Sequence, residues 1–384
     1  MQVYLVGGAV RDELLGLPVR ERDWVVLGAG PEEMLDAGYT QVGKDFPVFL
    51  HPRTLEEYAL ARTERKTAPG YHGFHVYAGP DVTLEQDLQR RDLTVNAMAR
   101  DSDGRLIDPW GGLDDLRARR LRHVSPAFRE DPVRILRVAR FAARFAPLGF
   151  EVAPETLDLM RSMVNDGEAD HLVPERVWQE MRRALGEPEP ARFFQVLHEC
   201  GALPAVLPAL ARQYPADGEP LALRALRAAV RLGDGERVRF AALMQALGGP
   251  DDAPELEAAC RALRTPTGHR ELALLALRHR DACHAAGEMD AQALLSLLEH
   301  VDAFRRPQRV EQLLAVCRCD AIARAEAAGH PVADTYPAGA RVRRALAAAL
   351  GVDTRSVAKR DLRGPEIGEA IRRTRLEAVR RALD

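Results

Sequence analysis

The sequence predicts an α+β fold, in which an N-terminal head built on a mixed β-sheet with flanking helices is followed by an all-α remainder. Three observations carry this expectation. The 384 residues are 46% hydrophobic and 29% charged, which supports sizeable cores and leaves no room for extended disorder. In the first third, short apolar runs end on glycine or turn residues, as strands do. After Gly111-Gly112 the pattern becomes Ala/Leu/Arg-rich and helical, with Pro and Gly interruptions near 146–149, 186–190, 201–208, 215–220 and 248–254.

Taken in chain order, Val3-Tyr4-Leu5-Val6 reads as a strand that stops at Gly7-Gly8, with a helix from near Ala9 to Gly16. Glu21-Arg22-Asp23-Trp24-Val25-Val26 reads as the next strand and ends before Gly28. Pro47-Val48-Phe49-Leu50 and Tyr58-Ala59-Leu60-Ala61 repeat the pattern. From Lys66 to Pro80, Pro69, Gly70, Gly73 and Gly79 lie among Tyr71, Phe74 and Tyr77, a combination expected of a long loop or mobile hairpin. Composition shifts place boundaries near 122, 188 and 325, and no internal repeat of fixed period is visible.

Several classes are excluded. Five cysteines (Cys200, Cys260, Cys283, Cys317, Cys319) contain no CxxC pair, which argues against a disulfide framework or cysteine zinc site and fits a reducing cytoplasm. No cleavable leader and no run of about 18 apolar residues is present, so a soluble cytoplasmic protein with no membrane partner is expected. The net charge of −3 hides two basic regions. Nine arginines face only Glu130 and Asp131 between Arg117 and Arg144, and twelve Lys/Arg face six Asp/Glu from Arg341 onward. Either region suits a polyanion or a solvated helix face. The sequence carries no signal for an oligomeric state.

Four groups of residues carry chemistry. The Gly7-Gly8 turn opens a helix and points backbone N–H groups at whatever lies above it, usually an anion, with Arg11 facing the same space; the alternative is a plain strand-to-helix connection. Glu21 and Asp23, two apart on a strand, project to one face and repel unless a cation such as Mg²⁺, or a neighbouring Arg20 or Arg22, neutralises them. Arg91, Asp92 and Asn96 suit phosphate and ribose contacts or a salt-bridge network. Asp131-Pro132 starts a helix, with Asp131 as cap and Pro132 at the first helical position. At 100° per residue Arg134, Arg137, Arg140 and Arg144 share one stripe of that helix, suited to phosphates, while Ile135, Val138 and Ala142 face the core.

The run Leu5-Val6-Gly7-Gly8-Ala9-Val10-Arg11-Asp12 with Glu21-x-Asp23, then Arg90-Arg91-Asp92-Leu93-Thr94-Val95-Asn96-Ala97, then Glu130-Asp131-Pro132-Val133-Arg134, resembles the class II tRNA nucleotidyltransferases, which comprise the bacterial CCA-adding enzymes and the poly(A) polymerases. The resemblance is dense to about residue 200 and returns at Val238–Leu243, Arg306–Leu313 and Glu366–Val379. It implies a catalytic head (1–122), a nucleotide- and RNA-binding neck (123–187), a body (188–325) and a basic tRNA-binding tail (326–384). The implied reaction is template-independent transfer of CMP and AMP from CTP and ATP to a tRNA 3′ hydroxyl, with release of pyrophosphate. Glu21 and Asp23 are then the catalytic metal ligands for two Mg²⁺ ions. Gly8, Arg11, Arg91, Asp92 and Asn96 serve triphosphate and ribose, Asp131 and Arg134 the base, and Arg137 and Arg140 phosphates or the base surround.

Side-chain chemistry makes such selectivity reasonable. Cytosine and adenine both present an amino donor beside a ring-nitrogen acceptor, which match a carboxylate and a guanidinium, whereas uracil and guanine present a carbonyl and a ring N–H. Two departures from the family pattern stand out. Gln245-Ala246 occupies the place where enterobacterial-type relatives carry a metal-binding His-Asp pair, and His269, His279 and His284 do not restore that ligand order, so no metal-dependent hydrolase is expected there. Glu21 replaces the usual first Asp. The rival readings are a poly(A) polymerase, an enzyme adding only CC or only A, and a non-catalytic RNA-binding protein, the last opposed by intact Glu21, Asp23, Asp131 and Arg134.

Overall fold

The computed structural model describes residues 1–42, 48–66, 74–331, 335–358 and 364–384. Pro47 and most of the loop expected between Lys66 and Pro80 lie outside these. The chain forms two compact units, Met1–Val206 and Leu207–Asp384.

The first unit contains the strands β1 (Gln2–Val6), β2 (Asp23–Leu27), β3 (Thr40–Val42), β4 (Val48–Leu50), β5 (Glu57–Leu60), β6 (Thr63–Lys66), β7 (Phe74–Tyr77), β8 (Ala99–Arg100) and β9 (Leu106–Ile107). Among the described residues seven of them form one sheet in the order β3-β4-β5-β2-β1-β8-β9, with β2 parallel to β5 and every other pair antiparallel. β6 and β7 pair separately as an antiparallel ribbon. Strand β2 is apolar without alternation because it is covered on both sides. Val25 joins Val6, Val82, Leu88 and Ala99 in one cluster, while Val26 joins Met34, Phe49, Tyr58 and Leu60 in another.

The helices of this unit, in chain order, begin with α1 (Gly8–Leu14), α2 (Pro31–Asp36), α3 (Leu84–Gln89), α4 (Gly112–Arg117), α5 (Val133–Phe145), α6 (Pro154–Asn165), α7 (Pro174–Gly186) and α8 (Pro190–Glu199). Helix α5 packs against α7 and α8, and the residues its periodicity marked for the core, Ile135, Val138 and Ala142, are fully buried. Two boundaries differ from expectation. Strand β2 begins at Asp23, which leaves Glu21 in the coil ahead of it. Helix α5 begins at Val133 with Pro132 at the N-cap, and Asp131 caps from one residue earlier by accepting the Val133 N–H at 3.0 Å. The helical pattern after Gly112 is interrupted by pairing where Arg120–Leu121 runs parallel to Glu151–Val152 and where His123 bridges Leu93.

The second unit is helical among the described residues. Its helices Leu221–Arg231, Glu236–Gln245, Thr267–His284 and Pro307–Ala327 surround a buried polar chain. Gln245, fully buried at the place where a metal-binding histidine was sought, donates from Nε2 to Asp320 Oδ1 at 3.1 Å and accepts at Oε1 from Arg280 Nη1 at 2.8 Å. Asp320 Oδ2 accepts from Arg324 Nε at 2.6 Å and from His284 Nε2 at 2.9 Å, and the Tyr336 hydroxyl meets His284 Nδ1 at 2.9 Å. His269 pairs with Glu236 at 2.9 Å, and His279 lies beside His300.

Burial alone pushes the Asp320 carboxyl up, but the hydrogen bonds from His284, Arg324 and Gln245 outweigh it and hold the group at about 2. Its folded pKa therefore lies below the unfolded one, so its stabilisation is complete above about pH 4 and is lost as the pH falls toward 2. Asp320→Asn is expected to lower stability by roughly 2 kcal/mol at pH 7 and to flatten the acid limb of the melting-temperature profile between pH 4 and 2. An unchanged acid limb would show that the network does not depend on the charge.

Candidate active site at one end of the central strands

Antiparallel pairing sets Val6 opposite Asp23, so the glycine turn after β1 and the carboxylate that opens β2 share one end of the sheet. Gly7 sits at φ +69°, in the left-handed region that favours glycine, and its N–H bonds to the Met98 carbonyl at 3.1 Å. The turn is closed by two guanidinium groups. A Cβ on Gly7 would lie 2.7 Å from Arg91 Nη1, and one on Gly8 would lie 3.4 Å from Arg11 Nη2. Gly8, Arg11 and Arg91 are thus brought together, at the start of a helix whose first N–H groups have no partner within it.

Glu21 and Asp23 stand beside this turn. The Asp23 carboxyl is pushed up by desolvation, pulled down by Arg91 and pushed up again by Glu21. A hard divalent cation reverses that balance, because it neutralises both carboxylates through oxygen ligands. Glu57 occupies the position of β5 in register with Asp23, yet among the described residues no three His, Cys, Asp or Glu side chains converge as a metal site. The donor set therefore fits an ion held by two carboxylates and completed by phosphate and water oxygens.

Behind the turn lies an alternating network. Arg144 Nη2 donates to Asp12 Oδ2 at 2.8 Å, and Asp12 Oδ1 accepts from Arg11 Nε at 2.9 Å. Arg11 Nη1 donates to Asn96 Oδ1, and Asn96 Nδ2 donates to Asp92 Oδ1 at 3.0 Å. Arg137 Nε reaches Asp92 Oδ2 at 2.7 Å. Burial pushes the Asp92 carboxyl up, but Arg137, Asn96 and Arg134 together hold it well below the usual carboxylate range. Asp92 and Asn96 are buried connectors between α1 and α5 that fix the arginines.

The arginine stripe of α5, expected from the sequence to suit phosphates, is drawn partly into carbonyl contacts and ion pairs. Arg134 and Arg140 are only 7% and 8% exposed. Arg134 donates to the carbonyls of Ala127 at 2.9 Å and Arg90 at 2.7 Å, and Arg140 donates to Glu180 at 2.6 Å. Asp131 receives both Arg176 Nη1 at 3.1 Å and Nη2 at 2.8 Å, a bidentate pair. Asp12, Arg176 and Glu180 had not been marked as site residues. Arg176 and Glu180 are four apart on α7 and so share a face, but their partners lie some 40 residues away, where no local pattern reveals them.

Comparison with known proteins agrees with this geometry. Residues 3–122 match the poly A polymerase head domain, and residues 149–214 match a probable RNA and SrmB-binding site of polymerase A. The chain is 53% identical to the multifunctional CCA protein of Thioalkalivibrio sulfidiphilus, over 99% of this chain and 98% of the relative. The protein of the same name from Alkalilimnicola ehrlichii is also 53% identical, over 99% and 97%. Among solved structures, the Bacillus stearothermophilus CCA-adding enzyme in complex with CTP superposes with a TM-score of 0.66 at 28% identity, covering 99% of this chain and 88% of that one.

The Arg140–Glu180 pair offers a test of how the stripe is held, because both side chains are under 10% exposed. Arg140→Met should cost about 3 kcal/mol in chemical denaturation by leaving the buried Glu180 carboxylate only the longer contact to Arg183 at 3.5 Å, and adding Glu180→Met should recover most of it. Simple additivity of the two losses would place the pair in solvent.

Proposed function

We infer the function of this chain from the premise that it belongs to the class II tRNA nucleotidyltransferases, the family of the CCA-adding enzymes and the poly(A) polymerases. It is a CCA tRNA nucleotidyltransferase, which builds and repairs the 3′-terminal CCA of tRNA from CTP and ATP without a nucleic-acid template and releases pyrophosphate. One observation carries this reading above the others: more than half identity to proteins named multifunctional CCA protein extends over 99% of the chain, far beyond the head that a poly(A) polymerase shares. The family uses divalent metal ions, and we assign Mg²⁺ here. Among the described residues no helix is long and apolar enough to cross a membrane, and we assign the reaction to the cytoplasm.

Glu21 and Asp23 would hold the ions, which when bound neutralise charge on the attacking 3′ oxygen and the departing pyrophosphate. The chain's own residues do the rest. Arg11, Arg91 and the first N–H groups of α1 bind the triphosphate over the glycine turn. Asn96 and Asp92 keep Arg11 and Arg137 in place while it does so. Asp131, part-exposed, accepts two hydrogen bonds at Oδ1 but one at Oδ2, which keeps a lone pair for an exocyclic amino group, and Arg134 or Arg176 supplies the donor for the ring nitrogen. Uracil or guanine at this point sets a carbonyl against the carboxylate. The neck and tail arginines take the tRNA backbone. The four-part division into head, neck, body and tail is kept as a proposal.

Incubation with tRNAs lacking zero to three terminal nucleotides, each NTP supplied singly, tests the activity directly. Ordered C, C, A products are expected, and arrest after CC or failure to add C would identify a partial enzyme.

Asp23→Ala is expected to abolish nucleotide addition while tRNA binding survives. Glu21→Asp should retain substantial turnover and Glu21→Gln lose most of it, since the amide keeps the size and removes the charge. Near-normal turnover of Glu21→Gln at low Mg²⁺ would move the second ligand elsewhere. Asp131→Ala should relax selection toward UTP and GTP and slow CTP and ATP, with about 1 kcal/mol of stability lost from the cap. Wild-type selectivity in that variant would reduce Asp131 to a helix cap.

A further inference from the structure

We propose that Phe141 is a positioning residue for nucleotide addition, its ring gathering the guanidinium groups of Arg11, Arg137 and Arg140 and so setting where they meet the incoming nucleoside triphosphate. The proposal rests on the assignment of those arginines made above.

Phe141 lies seven residues after Arg134, two turns along α5, and so falls on the arginine side of the helix. It is buried, at 5% exposure. The guanidinium carbons of Arg140, Arg11 and Arg137 lie over its ring at 4.5, 5.2 and 5.7 Å from the centroid, all inside the roughly 6 Å reach of a cation–π contact. Arg11 comes from α1 and the other two from α5, so one ring joins the glycine-turn helix to the base-binding helix. Phe145, stacked on Phe141 at 6.0 Å with rings 3° from parallel, carries the same arrangement one turn on, beneath Arg11 at 5.0 Å and Arg144 at 5.1 Å.

Three cations around a point repel one another, and carboxylates hold each only in part. Asp12 binds Arg11, Asp92 binds Arg137 and Glu180 binds Arg140. The negative ring face opposes the remaining repulsion without introducing a further acceptor, so the guanidinium groups stay oriented and keep donors for phosphate oxygens. A carboxylate in the ring's place would compete with the nucleotide for those donors. An aliphatic side chain would leave the cations to spread.

The experiment places mono-, di- and trifluorophenylalanine at position 141 of the full chain, which weakens the ring quadrupole stepwise with little change of shape. KM for CTP and for ATP should rise with each fluorine, reaching about tenfold for the trifluoro ring, while kcat stays within about twofold and the melting temperature barely moves. Phe141→Leu should exceed the trifluoro effect and Phe141→Trp should restore most of the affinity. A KM that stays flat across the fluorinated series overturns the proposal and leaves Phe141 as core packing. Arg11→Lys and Arg137→Lys are measured alongside. If they raise KM while fluorination does not, the Phe141 role fails alone, and if they leave KM unchanged the nucleotide-site assignment itself fails.

Discussion

The pairing of Val6 with Asp23 is the constraint from which the candidate site follows. A strand repeats every two residues, so a slip of one position would turn Asp23 and Val25 to the opposite face and bury a carboxylate among Met34, Phe49 and Leu60. The apolar clusters on the two faces of β2 therefore lock the chemistry in place as much as they stabilise the sheet. Because β1 ends where β2 begins, the glycine turn and the acids proposed to receive cations lie together without any long-range device. The parallel neighbour β5 adds only a register partner, Glu57.

Behind that sheet end the protein buries more positive charge than a globular core ordinarily tolerates. Arg11, Arg134 and Arg140 are each under 10% exposed, and each has acceptors in good geometry. Taken singly, such ion pairs add little net stability, because desolvation offsets attraction. Their value lies in orientation: a planar guanidinium held at one edge by Asp12, Asp92 or Glu180 has few rotamers left. The same alternation of charge lets α5 carry arginines inward, which an amphipathic helix of its composition would otherwise turn to solvent.

Much of this was legible in one dimension. The strand at Val3–Val6, the glycine turn, the acidic pair and the core face of α5 all depend on neighbours within eight residues, where periodicity and turn chemistry act. Glu21 proved to precede β2 because a strand starts where its partners start, and β1 offers none beyond Val6. The periodicity of the arginine stripe was legible but its partners were not, since nothing near Arg140 in sequence announces Glu180. Arg176 escaped notice for the same reason. At Gln245 the lost His-Asp pair was visible, whereas the polar chain that fills its place joins Arg280, Asp320 and Tyr336 from three separate stretches.

Gly7 carries a consequence for how such a chain changes over time. Any side chain there must both adopt a left-handed backbone and displace the Arg91 guanidinium. Displacing Arg91 first would remove the cation that faces Asp23, so the two positions are coupled. Exchange at Gly7 is therefore expected only together with a change at Arg91, a pair that drift one site at a time does not reach.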